Sequence, residues 1–213
     1  MLDIYLVRHA ESEMNLHPDI VSGRLVTTPL SETGIRQAAL LGKSFRDAGI
    51  VFDEIYASTA LRAIQTAKAT AAYMGFPAEN IVAIPDLLEM DLGDWEGKPK
   101  NQVYTAPILA ALNANNWDYR PANGESQHDV EGRVLGWVER TLIPKYQKDI
   151  KIGVFTHAMS IKCLLRGILE SSPAMTHKIS LENTSITRLR YENDGWHLIT
   201  LNDYSHLRCD FPG

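Results

Sequence analysis

The run Leu2-Asp3-Ile4-Tyr5-Leu6-Val7, closed by Arg8-His9, constrains the fold more than any other stretch of this chain. A short apolar run bounded by a polar loop reads as a buried strand. Such a strand needs helices packed over it, and the rest of the chain supplies them in alternation. Ser31-Glu32-Thr33 opens a helix with Ser31 at the N-cap, carried by Ile35, Ala38, Ala39, Leu41 and Phe45 to about Ala48 and stopped at Gly49. Phe52 to Ala57 reads as a second strand, Ser58 as the cap of a helix from about Ala60 to Met74, and Gly75 as its stop. Ile81 to Ile84, closed by Pro85, reads as a third strand.

An acidic, glycine-containing loop from Asp86 to Gly97 comes next, then a helical stretch from Asn101 to Asn113 and the turn Pro121-Ala122-Asn123-Gly124. Ser126 to Tyr146 suits one long amphipathic helix with Val130, Val134, Trp137, Val138 and Leu142 on its apolar face. Lys151 to Thr156 is a further buried strand, and Ala158 to Leu169 its returning helix. Ile179 to Leu181, Ser185 to Tyr191 and Trp196 to Leu201 alternate as strands, the last two joined by a hairpin turn at Asn193-Asp194-Gly195. The pattern predicts an α/β three-layer sandwich with a mainly parallel central sheet, in a single domain over residues 1–213.

A net charge of −5 argues against nucleic acid or an anionic membrane as partner, so an anionic ligand needs positive charge concentrated locally. No apolar run is long enough to span a bilayer, and no leader pattern opens the chain. Cys163 and Cys209 are far apart and form no CxxC, which fits a reduced, cytoplasmic setting. The seven histidines show no ligand spacing, so no metal and no other cofactor is expected. Phosphate binding by a Gly-x-x-x-x-Gly-Lys-Ser/Thr loop is excluded by its absence.

The chemistry gathers by position. Arg8-His9 follows the first predicted strand, Arg62 lies one turn into the helix after the second, Glu89 follows the third, and His157 follows Lys151 to Thr156. Each alone has an ordinary structural explanation. Together they fall at the carboxyl ends of predicted parallel strands, where open α/β sheets bind ligands. Two arginines, two histidines and a carboxyl make an oxyanion pocket with a nucleophile and an acid.

Four segments then carry a resemblance: Leu6-Val7-Arg8-His9-Ala10-Glu11-Ser12-Glu13-Met14-Asn15; Pro29-Leu30-Ser31-Glu32-Thr33-Gly34-Ile35-Arg36-Gln37-Ala38; Ser58 to Ala67; and Leu88-Glu89 with Gly93-Asp94-Trp95-Glu96-Gly97. With Gly124-Glu125-Ser126 and Val154-Phe155-Thr156-His157, in that order over about residues 1 to 170, the sequence resembles the histidine phosphatase superfamily, of phosphoglycerate-mutase-like fold. The resemblance implies that His9 is a nucleophile forming a phosphohistidine. It implies that Arg8, Arg62 and His157 hold phosphoryl oxygens, with Asn15, Ser22, Gly23 and Ala158 also on the substrate. Glu89 would protonate the leaving oxygen and later take a proton from water, a role in which neighbouring acids would help it hold a proton. The sequence departs from the family pattern at Ala10, usually glycine, and in the Ser22-Gly23 to Pro29 loop, which bears on specificity.

The implied activity is metal-free hydrolysis of a small phosphomonoester. Cofactor-dependent mutases of this family carry a long arginine-rich insertion, whereas Lys98 to Asn123 is short here and its only cations are Lys98, Lys100 and Arg120. Mutase chemistry and an inactive phospho-ligand binder are the alternatives. His17, Arg24 and the Lys98 to Arg120 segment are the candidates for choosing the substrate. Oligomeric state is not readable from the residues.

Overall fold

The structure is a computed structural model, and it describes residues 1–115 and 117–208, so Cys209 lies outside the described residues. Six strands form one sheet: β1 (Leu2–Arg8), β2 (Glu54–Ser58), β3 (Val82–Ile84), β4 (Ile150–Thr156), β5 (Ile186–Glu192) and β6 (Gly195–Asp203), in the order β3-β2-β4-β1-β5-β6. The first four in space run parallel, and β5 and β6 add an antiparallel edge. The helices are α1 (Glu32–Asp47), α2 (Leu61–Met74), α3 (Lys100–Val103), α4 (Ala106–Asn115), α5 (Gln127–Trp137) and α6 (Ala158–Ile168).

The two-residue period of β1 separates the core into two layers. Leu2, Ile4 and Leu6 face one cluster with Val130, Val134, Leu164 and Leu165, where α5 packs on α6. Tyr5 and Val7 face the other with Leu41, Phe45, Ala67 and Ala71, where α1 packs on α2. Helices therefore cover both faces of a mainly parallel sheet, as the alternation predicts. Asp3, also buried, accepts from Arg188 at 2.7 Å and Arg190 at 2.9 Å, so the edge strand β5 is tied to β1 by charge as well as by its ladder.

Local departures have local causes. Ser31 caps α1 as expected, accepting from the amide of Gly34 at 3.0 Å. Ser58 does not cap α2: Ala60 occupies the N-cap without a side-chain bond, while Ser58 ends β2 and reaches His157. The stretch expected as one helix from Asn101 breaks between α3 and α4, ahead of Pro107, which has no N–H and sits in the first turn of α4. The long helix from Ser126 stays regular only to Trp137, loosens to a π turn over Val138–Leu142 and tightens over Ile143–Gln147, where Pro144 removes a backbone donor. Ile179 to Leu181 is not a strand: Ile179 and Leu181 are buried, but the Leu181 carbonyl accepts from Arg8 Nη1 at 2.6 Å rather than from a ladder. The hairpin at Asn193-Asp194-Gly195 is present, with Gly195 at φ +113°.

Candidate active site

β1, β2 and β4 bring their carboxyl ends to one edge, and the residues that follow them meet there. His9 continues β1, with its amide bound to the Thr156 carbonyl at 2.8 Å and its own carbonyl held by the Asn183 side-chain amide at 2.9 Å. Its ring is nearly buried. Nδ1 donates to the Ala10 carbonyl at 2.7 Å, which places the ring proton there and leaves a lone pair on Nε2. Ala10 is itself fully buried against Leu30 and Ala38, so only a small residue fits behind the ring. Arg62 Nε approaches His9 Nε2 at 3.3 Å. Burial, then the charges of Arg62 and Arg8, hold the His9 pKa well below the ordinary histidine value, so the imidazole is neutral at pH 7.

The Arg62 guanidinium is gripped from behind by carbonyls of the Gly23-Arg24-Leu25 turn, at 2.8 Å from Leu25 and 3.2 Å from Arg24. That turn depends on Gly23, at φ +49° with no room for a Cβ beside the Glu96 carboxylate. Glu96 in turn accepts from the amides of Arg24, Leu25 and Leu92. Opposite Arg62 lies Arg8, whose Nη1 is bound to Leu181 while its buried Nε has no partner within the protein.

His157 starts α6 behind His9, the two rings 5.1 Å apart. Its Nε2 meets Ser58 Oγ at 2.8 Å, and its buried Nδ1 is a second polar atom without a protein partner. Ser58 Oγ also accepts from the Ala60 amide at 3.3 Å, and in the tautomer in which it donates to His157 Nε2 the buried Nδ1 carries the ring proton. His157 too is held well below the usual pKa, by burial first and then by Arg62. Two unpartnered N–H groups beside an unprotonated Nε2 fit the equatorial oxygens of a phosphoryl group.

Glu89 lines the same cavity, with Oε1 accepting from the Met90 amide at 2.8 Å and Oε2 from the Met159 amide at 3.3 Å. The acids expected to crowd it are turned elsewhere. Asp91 pairs with Arg24, Asp94 with the Asn123 amide and Asp86 with Arg140, while Glu96 braces the Gly23 turn. Cations face Glu89 instead, Arg8 and Arg62 foremost. Its carbonyl is clamped by two arginines, Arg24 Nε and Arg133 Nη2, each at 3.1 Å. Glu125 holds that pair together, bound to Arg24 at 2.8 Å and to Arg133 at 3.0 Å.

The sequence matches the histidine phosphatase superfamily (branch 1) over residues 4–204. The chain belongs to that superfamily. It is 29% identical over 215 residues to the protein named probable phosphoglycerate mutase GpmB of Proteus mirabilis, covering 97% of this chain and 95% of the relative. Among solved structures it is similar to the phosphoserine phosphatase of Entamoeba histolytica bound to phosphoserine (TM-score 0.81, 27% identity, 97% of this chain and 100% of the other). It is also similar to YhfR of Bacillus stearothermophilus (TM-score 0.84, 27% identity, 97% and 100%).

In this histidine phosphatase the cavity measures about 460 Å³. Arg8, His9, Asn15, Ser22, Gly23, Arg62 and Glu89 line it. Ser12 uses the Asn15 Oδ1, which leaves the Asn15 amide nitrogen for a ligand. His157 lies behind His9 rather than on the lining, and Ala158 is not on the lining either; Met159 is. Of the substrate-choosing candidates, the Lys98 to Arg120 segment does line the cavity, through Tyr104, Leu109, Leu112, Asn113 and Tyr119, whereas its cations Lys98, Lys100 and Arg120 do not, nor do His17 and Arg24. Arg24 is spent on Asp91 and Glu125, and Arg120 on Asp129.

Sequence reasoning missed Gln127 and His177, which also line the far half, and within the Lys98 to Arg120 segment it did not single out Tyr104, Leu109, Leu112 and Tyr119. It also missed the Arg24–Glu125–Arg133 clamp, although Gly124-Glu125-Ser126 was a signal. One potential metal-ligand group went unseen as well. Glu192, Asp194 and His197 bring ligand atoms within 4.8 Å of one another on the β5–β6 hairpin, outside the cavity lining, with His197 bound to Asp194 at 2.9 Å.

Proposed function

We propose that residues 1–213 form one metal-independent phosphomonoesterase domain that works through a phosphohistidine on His9. The observation that carries this reading is the His9 ring, with its proton on Nδ1 and an unprotonated Nε2, which accepts from Arg62 and yields to phosphorus on attack, among Arg8, Arg62 and His157. The family and the phosphatase names among its structural neighbours support it.

The neutral Nε2 attacks phosphorus in line with the ester oxygen, forming an N–P bond as the P–O bond breaks. Arg8 Nε, His157 Nδ1, Arg62 and the Asn15 amide take the three phosphoryl oxygens, doing with fixed groups the charge balancing a metal does elsewhere. Glu89 is the group that passes a proton to the departing alkoxide. The carboxylate then takes a proton from water, whose oxygen attacks phosphorus and releases His9 and inorganic phosphate. The turn at Ser22-Gly23 acts through Arg62, and Ala158 contributes only its place at the start of α6. The separated cysteines favour a cytoplasmic setting.

Mutase activity needs the phosphoryl group returned to a second hydroxyl while a carboxylate is held. Among the described residues, no lysine or arginine lines the far half of the cavity for that carboxylate. With 3-phosphoglycerate, inorganic phosphate is expected at least as fast as the 2-isomer. Isomerisation with little phosphate release would overturn hydrolysis. Rapid quench with labelled substrate is expected to trap an acid-labile, alkali-stable phosphoenzyme that His9→Ala lacks and EDTA leaves intact.

A further inference from the structure

The far half of the cavity carries a second message. Among the described residues, the lining beyond Glu89 runs through Met90, Trp95, Tyr104, Leu109, Leu112 and Tyr119 to Gln127 and His177, without a lysine, arginine, aspartate or further glutamate. Trp95 anchors an aromatic wall, stacked on Tyr119 with centroids 5.6 Å apart and meeting Tyr104 edge-on at 5.8 Å. Facing it, α4 has the sequence Ala-Pro-Ile-Leu-Ala-Ala-Leu-Asn-Ala-Asn and buries none of its residues in the protein. A helix so apolar and so uncovered finds its counterpart in what fills the space beside Leu109 and Leu112.

The polar groups at that end are neutral. Arg166 donates to Gln127 Oε1 at 2.8 Å, which fixes the amide so that its nitrogen faces His177 Nε2 at 3.4 Å. Burial and the charges of Lys162 and Arg166 disfavour protonation of His177. A carboxylate entering here would lose its water against aromatic and aliphatic walls without a cation to meet it.

Building on the phosphatase reading above, we propose that the physiological substrate class is phosphomonoesters of neutral alcohols with an aromatic or bulky apolar body. The class excludes carboxylated phosphates such as phosphoglycerate or phosphoserine. The phosphate sits at His9, the ester oxygen at Glu89, and the apolar body against Trp95, Tyr119 and α4. The volume of the cavity accommodates a ligand of more than one ring.

The test is a matched pair of esters: 4-ethylphenyl phosphate and its analogue with a carboxylate at the end of the ethyl group, whose leaving groups differ little in acidity. The neutral ester is expected to have a kcat/KM about 10- to 100-fold higher, chiefly through KM. Leu112→Arg, which places a cation on the wall, is expected to narrow or reverse that ratio. In the His9→Ala chain, a naphthylmethyl phosphonate should bind and change Trp95 fluorescence, whereas phosphoglycerate at the same concentration should not. Equal or better turnover of the carboxylated ester, or a ratio that Leu112→Arg leaves unmoved, would overturn this substrate class while leaving phosphatase activity standing. Binding of the naphthyl phosphonate without turnover of any ester would keep the apolar subsite and overturn the hydrolase reading instead.

Discussion

Arg62 donates from Nε to the Nε2 of His9 across 3.3 Å, so a permanent cation rests against the unprotonated ring nitrogen and occupies its lone pair. A proton on Nε2 would meet that guanidinium head-on. Arg62 thus keeps His9 in its free-base form and adds its charge to the oxyanion site. The carbonyls of Arg24 and Leu25 hold it at that distance.

Removing the cation therefore has two consequences of different kind. Arg62→Ala is expected to lower kcat/KM by about 100- to 1000-fold through lost oxyanion stabilisation. It should also raise the His9 pKa, because a like charge is gone, and so move the acid limb of the pH–rate profile to higher pH. In the wild-type chain no loss attributable to His9 is expected as pH falls through 6.5. Histidine NMR titrations of the two proteins check the sign, and an unmoved limb would show that burial alone sets it.

Glu89→Gln keeps the shape of the side chain but removes the proton. Turnover of alkyl phosphates should fall by about 100-fold or more, while p-nitrophenyl phosphate, whose leaving group needs little protonation, should be nearly spared. Arg133→Leu should show the same selectivity more weakly, since it loosens the clamp on the Glu89 carbonyl. It should also cost roughly 1–3 kcal/mol in urea denaturation, because Asp86 O, Glu89 O and Glu125 lose a donor. Equal losses on both esters would assign Glu89 to binding rather than proton transfer.

Gly23→Ala tests the turn that carries Arg62. With φ +49° and the Glu96 carboxylate oxygen well inside contact distance of the added methyl, so that Glu96 must give way, the substitution should destabilise by about 1–3 kcal/mol. Activity should fall with kcat more than with KM, through displacement of Arg62. The same methyl at Gly49 (φ +64°, open space around it) is the control, with a stability cost and no kinetic effect.

Acid stability should follow the buried histidines. His9 and His157 are neutral in the folded chain, and burial pushes His206 down to about 4. Their folded pKa values lie below the unfolded value near 6.5, so their contribution is whole above pH 6.5. As pH falls below it the unfolded chain takes up protons that the folded chain refuses. Urea midpoints should thus decline from pH 6.5 downward, by up to about 1.4 kcal/mol per pH unit for each such histidine. His206→Gln should make the decline shallower. A flat profile between pH 7.5 and 5 would contradict the burial of these rings.

The strands and helices that place the chemistry were readable because their signals are local. The apolar run before Arg8, the cap at Ser31 and the stops at Gly49 and Gly75 act within a few residues, and each stands where its chemistry predicts. Misreadings came where a long-range partner outbid a local preference. Ser58 is a good capping residue, but His157, 99 positions away, takes its hydroxyl. Ile179 to Leu181 alternates like a strand, but Arg8 takes the Leu181 carbonyl.

For the site, the sequence by itself pointed to Arg8, His9, Arg62, Glu89 and His157 as one group, since each lies in, or within about five residues of, the carboxyl end of a parallel strand and the sheet brings those ends to one edge. It could not determine the orientation of His9 or the clamp on Glu89, which depend on Ala10, Arg24, Glu125 and Arg133 converging from four separate segments. It pointed to the Lys98 to Arg120 segment for specificity, but not to which of its residues face the cavity. Cations such as Arg24 and Arg120 look free in sequence, yet folding pairs them with Asp91, Glu125 and Asp129 and leaves the aromatic and aliphatic residues facing the cavity. Charge in a sequence is only potential. Whether it meets a ligand or a neighbouring carboxylate is decided by which segments the tertiary fold sets side by side.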